Sequence, residues 1–154
     1  MPQTPVLKSE QIAVYLSGYT DGEGSFCISF SPRDRLKAKI EIRPSFSVSQ
    51  NSDRAEVLLL FKEYFSCGSI RPDRSDKTVK YEVRSLQDLV TKIIPHFRRF
   101  PLLSGKQKDF EKFATICEFL FTRNINFEQI FDLAFQMNIS GKRRFNKEYL
   151  LSLL

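Results

Sequence analysis

Leu16-Ser17-Gly18-Tyr19-Thr20-Asp21-Gly22-Glu23-Gly24-Ser25-Phe26-Cys27-Ile28-Ser29-Phe30 is the stretch in which the hydrophobic period of the chain changes. Upstream of Asp21, Ile12, Leu16 and Tyr19 share one face of a predicted helix over 9–21, with Ser9 as N-cap and Glu10 in its first turn. The glycines of Asp21-Gly22-Glu23-Gly24-Ser25 end that pattern. From Phe26 the period is two: Phe26, Ile28 and Phe30 point one way, and Ile40, Ile42, Phe46 and Val48 resume the alternation after a turn near Pro32-Arg33-Asp34. A helix delivering the chain into a long antiparallel hairpin is the reading from which the rest follows.

A second helix is expected from Asp53, where Asp53-Arg54-Ala55-Glu56 has the form of a capping box, through Leu58 and Phe61 to Phe65, ended by Cys67-Gly68. A second hairpin follows over 69–71 and 78–84, joined by a turn over 72–76. Ser85 with Asp88 opens another helix, expected to stop at Pro95; then come a loop with Pro101 and Gly105 and a helix over 106–121. Asn126 with Gln129 starts a helix to about Asn138, and 146–154 forms a last one. The order α-β-β-α-β-β-α plus C-terminal helices predicts an α+β chain with an antiparallel sheet and no βαβ crossover. We read it as a single domain over 1–154, with a core over about 9–121 and C-terminal helices over about 122–154.

The composition narrows the chemistry. In 154 residues, 24 Lys+Arg against 18 Asp+Glu leave a net charge of +6, and 15 Phe within a 42% hydrophobic content suffice for a sizeable core. No apolar run approaches the roughly 20 residues that span a bilayer. Met1-Pro2-Gln3-Thr4-Pro5 lacks the features of a secretory signal, and 3 widely spaced cysteines form neither a disulfide framework nor a CxxC site. The expected setting is intracellular: bacterial cytoplasm, chloroplast or mitochondrion. The single histidine, His96, argues against a histidine metal cluster, a His-dependent nuclease, a serine-protease triad and a HExxH protease. Chemistry here must run on carboxylates, Lys, Gln or Ser. We read His96 as structural or a minor phosphate contact.

Arg33, Arg35, Lys37, Lys39, Glu41, Arg43, Ser45 and Ser47 share one parity in the first hairpin, opposite to Ile40, Ile42, Phe46 and Val48. Lys80, Glu82 and Arg84 repeat the pattern in the second, with Arg71 and Arg74 near its turn. Two uses fit: a solvated sheet face, or a β-ribbon laid in the major groove of DNA. The acid pair Asp21 and Glu23 also reads two ways. It is a polar turn leaving a helix, or, because carboxylates oppose the negative end of the helix dipole, a site completed by a divalent cation. An EF-hand is excluded, since Phe26 and Pro32 occupy its sixth and twelfth positions.

Residues 16–24 resemble the signature of the LAGLIDADG homing endonucleases. Leu16, Gly18, Asp21, Gly22 and Gly24 match; Ser17 replaces the small Ala, and Glu23 replaces the last acid. The resemblance extends over roughly residues 10–120. Phe46-Ser47-Val48-Ser49-Gln50 looks like the strand with the active-site glutamine, Arg54 follows at the familiar offset, and Lys106-Gln107-Lys108 looks like the catalytic-lysine segment. It implies a saddle-shaped antiparallel DNA-binding sheet on the α-β-β-α-β-β-α core, and cleavage of double-stranded DNA with Mg²⁺ (or Mn²⁺). On this resemblance Glu23 and the Gly22 carbonyl hold the metal, Lys106 stabilises charge on the phosphate, Gln50 orients water and Arg54 supports the pocket. Asp21 is mainly structural. One copy of the motif implies a homodimer, with Leu16, Ser17, Gly18 and Asp21 at its interface and the small Ser17 and Gly18 admitting a second backbone.

A ribbon of about ten residues at roughly 3.3 Å each covers about 33 Å, close to one turn of DNA. Two copies then imply a near-palindromic site of roughly twenty base pairs. An RNA maturase acting on intron RNA and a cleavage-inactive DNA-binding regulator are the rival readings. The presence together of Glu23, Gln50 and Lys106 favours the nuclease.

Overall fold

In the computed structural model, which describes residues 7–73 and 77–154, α1 (Ser9–Glu23) passes into β1 (Gly24–Pro32) with no intervening residue. Then follow β2 (Ile40–Asn51), α2 (Glu56–Phe65), β3 (Ser69–Pro72), β4 (Thr78–Val83), α3 (Leu86–Asp88), α4 (Ile94–Arg99), α5 (Lys106–Phe121), α6 (Phe127–Phe135) and α7 (Lys147–Ser152). The strands form one antiparallel sheet in the order β1-β2-β4-β3, with Phe26 opposite Phe46 and Val48 opposite Tyr81. This is the expected α+β architecture.

The two-residue alternation makes the sheet two-faced. Phe26, Ile28, Phe30, Ile40, Phe46, Val48, Tyr81 and Val83 are buried against the helices. The Phe26 ring lies 5.2 Å from that of Phe46 and 5.3 Å from those of Phe97, Phe110 and Phe113, tying two strands to α4 and α5. Burial of such side chains, at about 1.5–3 kcal/mol each, dominates the fold. Ile130, Phe131, Ala134 and Leu150 of the C-terminal helices join the same core. The opposite face carries Ser25, Ser29, Arg43, Ser45, Ser47, Ser49 and Lys80, and among the described residues no helix covers it. No helix among the described residues is long and apolar enough to cross a membrane.

Several local expectations change. Residues 33–39 form a hydrogen-bonded loop rather than strand: Leu36 N–H donates to the Arg33 carbonyl at 3.1 Å, Lys39 N–H donates to that of Leu36 at 3.0 Å, and Lys39 is left-handed at φ 62°. Arg33, Arg35, Lys37 and Lys39 therefore lie on the loop beyond the sheet and do not continue the alternation of Glu41 and Arg43. The Asp53 capping box does not form. Ser52–Arg54 makes a single 3₁₀ turn, and α2 begins at Glu56 without a side-chain cap. Pro95 does not stop its helix either. Leu89–Ile93 between α3 and α4 is a π turn in which the Ile94 N–H reaches back to the Leu89 carbonyl. That puts Pro95 in the first turn of α4, where a missing N–H costs nothing. α6 ends at Phe135, and Asn138 adopts φ 49°. The caps expected at Ser85 and Asn126 do form, accepting from the amides of Asp88 and Gln129, and Asn146 caps α7 in the same way through Tyr149; Ser9 is not a cap but the first residue of α1, with Lys8 at the N-cap position.

The free edge of β1 is covered from the C-terminal segment: the Asn138 amide donates to the Phe26 carbonyl at 2.8 Å and Arg143 to that of Ile28 at 3.2 Å. Arg74 lies outside the described residues.

Candidate active site

The direct passage from α1 to β1 sets the geometry. A Cβ at Gly24 would fall 2.5 Å from Thr20 Cγ2 and 2.9 Å from the Thr20 carbonyl oxygen, so only glycine lets the strand leave this close to the helix. Glu23, the last residue of α1, is exposed, and its carboxylate makes no hydrogen bond or ion pair among the described residues. Lys106, the first residue of α5, reaches across, its Nζ donating to the carbonyls of Thr20 at 3.0 Å and Gly24 at 2.6 Å. A cation thus caps the negative end of α1. Burial lowers the Lys106 pKa, and the carboxylates of Asp21, Glu23 and Asp109 oppose that shift without cancelling it.

Gln50, next to last in β2, donates from Nε2 to the Tyr19 hydroxyl, while its Oε1 accepts from the Asn51 amide at 2.7 Å. Tyr19 stands one turn before Glu23 on α1. Glu23, Gln50 and Lys106, far apart in sequence, are thereby gathered at the end of one helix. Arg54 is not tied into this group: it lies exposed on the 3₁₀ turn, 3.5 Å from Asp53. Tyr19 escaped the sequence reading because its ring counted as part of an apolar face.

Asp21 has an anchoring role. Its carboxylate accepts from the amides of Leu103 at 2.9 Å and Ser104 at 3.0 Å and from the Ser104 hydroxyl. Burial raises its pKa, but these hydrogen bonds and the charge of Lys106 outweigh burial and hold it below the ordinary value. Leu16 and Ser17 do not sit where the dimer reading placed them. Leu16 is 0% and Ser17 4% exposed, so neither offers surface to a second chain. Gly18 does, and a Cβ at Gly18 or Gly22 would meet nothing within 4 Å. With Val14, 60% exposed, they form an open stripe along α1, beside the projecting Leu103.

Ser17 instead belongs to an internal relay. Its hydroxyl donates to the Phe100 carbonyl at 2.6 Å, so it accepts from His96 Nε2 at 3.0 Å. His96 Nδ1 is then the acceptor for the Tyr64 hydroxyl at 2.8 Å. Burial pushes the His96 pKa down to about 4. His96 is neutral and structural, and too buried to meet a phosphate.

On the open face, register places Ser47 beside Glu82 and Ser49 beside Lys80, which pairs on to Arg71. Glu82 is nearly enclosed, bridging Arg71 at 3.1 Å and Arg84 at 2.6 Å. Glu41 likewise holds Arg33 at 2.9 Å and approaches Arg43 at 3.9 Å. The carboxylates of this face orient arginines rather than project freely. Ser25, Ser29 and Ser31 share the face and were missed, although the parity of β1 marks them.

The sequence profile described as LAGLIDADG endonuclease matches residues 16–117. The chain belongs to the LAGLIDADG endonuclease family. Among relatives of this LAGLIDADG chain, Homing endonuclease I-ApeII of Aeropyrum pernix is 33% identical over 103 residues, 66% of this chain and 60% of the relative. Probable intron-encoded endonuclease 2 of Neurospora crassa is 30% identical over 103 residues, 23% of its length. The chain thus spans less than two thirds of these relatives. Among solved structures, the homing endonuclease I-TnaI aligns over 97% of both chains with a TM-score of 0.78 and 26% identity. The LAGLIDADG homing endonuclease I-LtrWI, bound to target DNA, aligns over 94% of this chain and 49% of its own, with a TM-score of 0.84 and 26% identity.

Proposed function

We propose that the chain is a homodimeric, divalent-metal-dependent homing endonuclease that hydrolyses both strands of a long, near-palindromic DNA duplex. The observation that carries this reading is the exposed Glu23 carboxylate, free of hydrogen bonds and ion pairs among the described residues, at the end of a helix whose Val14, Gly18 and Gly22 stripe is open. Packing two copies along that stripe about a two-fold axis brings two Glu23 carboxylates together. Alignment with about half of DNA-bound I-LtrWI supports a site completed by a second, similar unit. The intron-encoded relatives support a homing role.

The donors suit Mg²⁺ or Mn²⁺: a hard carboxylate from Glu23 and the Gly22 carbonyl, in the last helical turn where intrahelical partners run out. In this reading the second carboxylate is Glu23 of the other copy. When bound, the cation lowers the pKa of an attacking water and neutralises the departing oxygen. Lys106 spends two of its three N–H donors on Thr20 and Gly24, and its third faces the phosphate, where it stabilises the added negative charge. Gln50, its Oε1 engaged by Asn51, keeps one Nε2 hydrogen to orient a water. Arg54 contacts a phosphate from its exposed turn. Arg33, Arg35, Lys37 and Lys39 on the loop, with Arg43, Ser45, Ser47, Arg71 and Lys80 on the sheet and Arg84 just past the end of β4, line the groove, and Glu41 and Glu82 set the arginine orientations.

The test is a cleavage selection on a randomised duplex library with Mg²⁺, run beside Glu23→Gln. The expected result is cutting by wild type alone, centred in a near-palindrome of roughly twenty base pairs. Cutting by the Glu23→Gln protein at the wild-type rate overturns the metal assignment, and cuts in sites without two-fold symmetry overturn the homodimer.

A further inference from the structure

The turn over 141–144 carries three consecutive cations, Lys142, Arg143 and Arg144, that the active site does not use. Their placement is built rather than incidental. Arg143 donates to the carbonyls of Ile28 at 3.2 Å, Met137 at 3.5 Å and Ala134, and its guanidinium lies 4.8 Å over the Phe135 ring. It meets only neutral acceptors, and among the described residues it has no carboxylate partner. Arg143 is therefore a pin: it fastens the turn to the free edge of β1 while keeping its charge. Lys142 and Arg144 flank it, both exposed and without ion pairs among the described residues, with Arg144 steadied 5.1 Å over the Phe145 ring. Between turn and sheet lies a pocket of about 340 Å³ whose wall joins Arg43, Lys142, Arg143, Arg144, Ser29 and Ser31 to apolar side chains of β1 and Phe145, with no carboxylate among the described residues that line it. Ser29 is the cross-strand neighbour of Arg43, so the pocket opens directly onto the uncovered face of the sheet.

We propose that this pocket is a clamp for a phosphodiester of the duplex, seated beside the groove that the sheet enters. Arg43 has Glu41 at 3.9 Å, but the three cations of the turn repel one another at close quarters, and an anion seated among them relieves that repulsion. The Ser29 hydroxyl donates to the Arg43 carbonyl at 3.2 Å, which leaves the Ser31 hydroxyl and two free cationic heads to match phosphate oxygens, which accept several donors at once. The clamp positions the duplex against β1 and reads no base. It rests on the proposed DNA reading.

The test measures binding of the selected target duplex by Lys142→Ala/Arg144→Ala and wild type across a salt series, in Ca²⁺ so that affinity is read apart from cutting. Each lost phosphate contact removes about 0.9 from the slope of log affinity against log salt, so the slope falls by about 1.8 and low-salt affinity falls roughly tenfold. Base preference on a panel of singly substituted targets stays as in wild type. The charge-keeping exchange Lys142→Arg/Arg144→Lys retains the wild-type slope. An unaltered slope in the double alanine variant, with wild type binding the target, overturns the clamp alone. Failure of wild type to bind any duplex overturns the DNA reading and the clamp together.

Discussion

Replacing Lys106 by Met separates the capping contacts its ammonium makes from the catalytic role proposed for it. The Lys106 Nζ donates to the carbonyls of Thr20 at 3.0 Å and Gly24 at 2.6 Å. A hydrogen bond with one charged partner contributes about 1.5–3 kcal/mol, and because Lys106 is half-buried the lower value applies to each. Methionine keeps the apolar stem and loses the head, so the two carbonyls together cost about 3 kcal/mol. For a chain of 154 residues, at about 2–4 °C per kcal/mol, Tm falls by about 6–12 °C. Thermal unfolding by circular dichroism measures this, and single-turnover cleavage on the same preparations measures the proposed catalytic role. Both should fall. A variant that melts with wild type yet fails to cut would refute the cap, leaving the lysine to the phosphate alone.

Tyr19→Phe removes only the hydroxyl that receives the Gln50 amide. Loss of one neutral hydrogen bond, about 1 kcal/mol, predicts cleavage about fivefold slower at unchanged DNA affinity. In a Gln50→Ala background the same change should have no further effect, and additive losses would show the two act separately. His96, neutral in the fold with its pKa near 4, regains the ordinary value of 6.5 when unfolded. The unfolded chain then binds the proton first, so this stability is present above pH 6.5 and is lost, to about 3 kcal/mol, as pH falls to 4. Urea unfolding across that window, compared with His96→Gln, should show a pH-dependent component that the variant lacks; parallel curves would contradict it. Val14→Arg places a charge on the open stripe of α1, and sedimentation should show a monomer that no longer cuts. A dimeric, active Val14→Arg protein would move the interface elsewhere.

What could be read from sequence was local. The change of period at Asp21 to Ser25 sets helix against hairpin, and Ser85, Asn126 and Asn146 cap helices through bonds three residues away. Loop 33–39 was misassigned because charged residues alternate identically in a strand and in a solvated loop, with no apolar partner to fix parity. Pro95 was misread because the π turn that accommodates it depends on packing of Leu89 and Ile93, both buried. The outward face of α1 was ambiguous because Ala13, Leu16 and Ser17 on one side and Val14 and Gly18 on the other are all small or apolar. Glu23, Gln50 and Lys106 were found by resemblance, but their links run through Tyr19 and through main-chain carbonyls 86 and 82 residues from Lys106. Neither intermediary has a signature in one sequence.

The Thr20 contact at Gly24 divides the meaning of the Asp21-Gly22-Glu23-Gly24 string. Its final glycine is demanded by steric collision inside one copy, whatever the protein does, whereas the Glu23 carboxylate makes no hydrogen bond or ion pair among the described residues and is assigned only to the proposed chemistry. A descendant stripped of its nuclease activity could shed the acid freely but must keep the glycine to fold. In this chain the glycine answers to the fold, and the acid to the proposed chemistry.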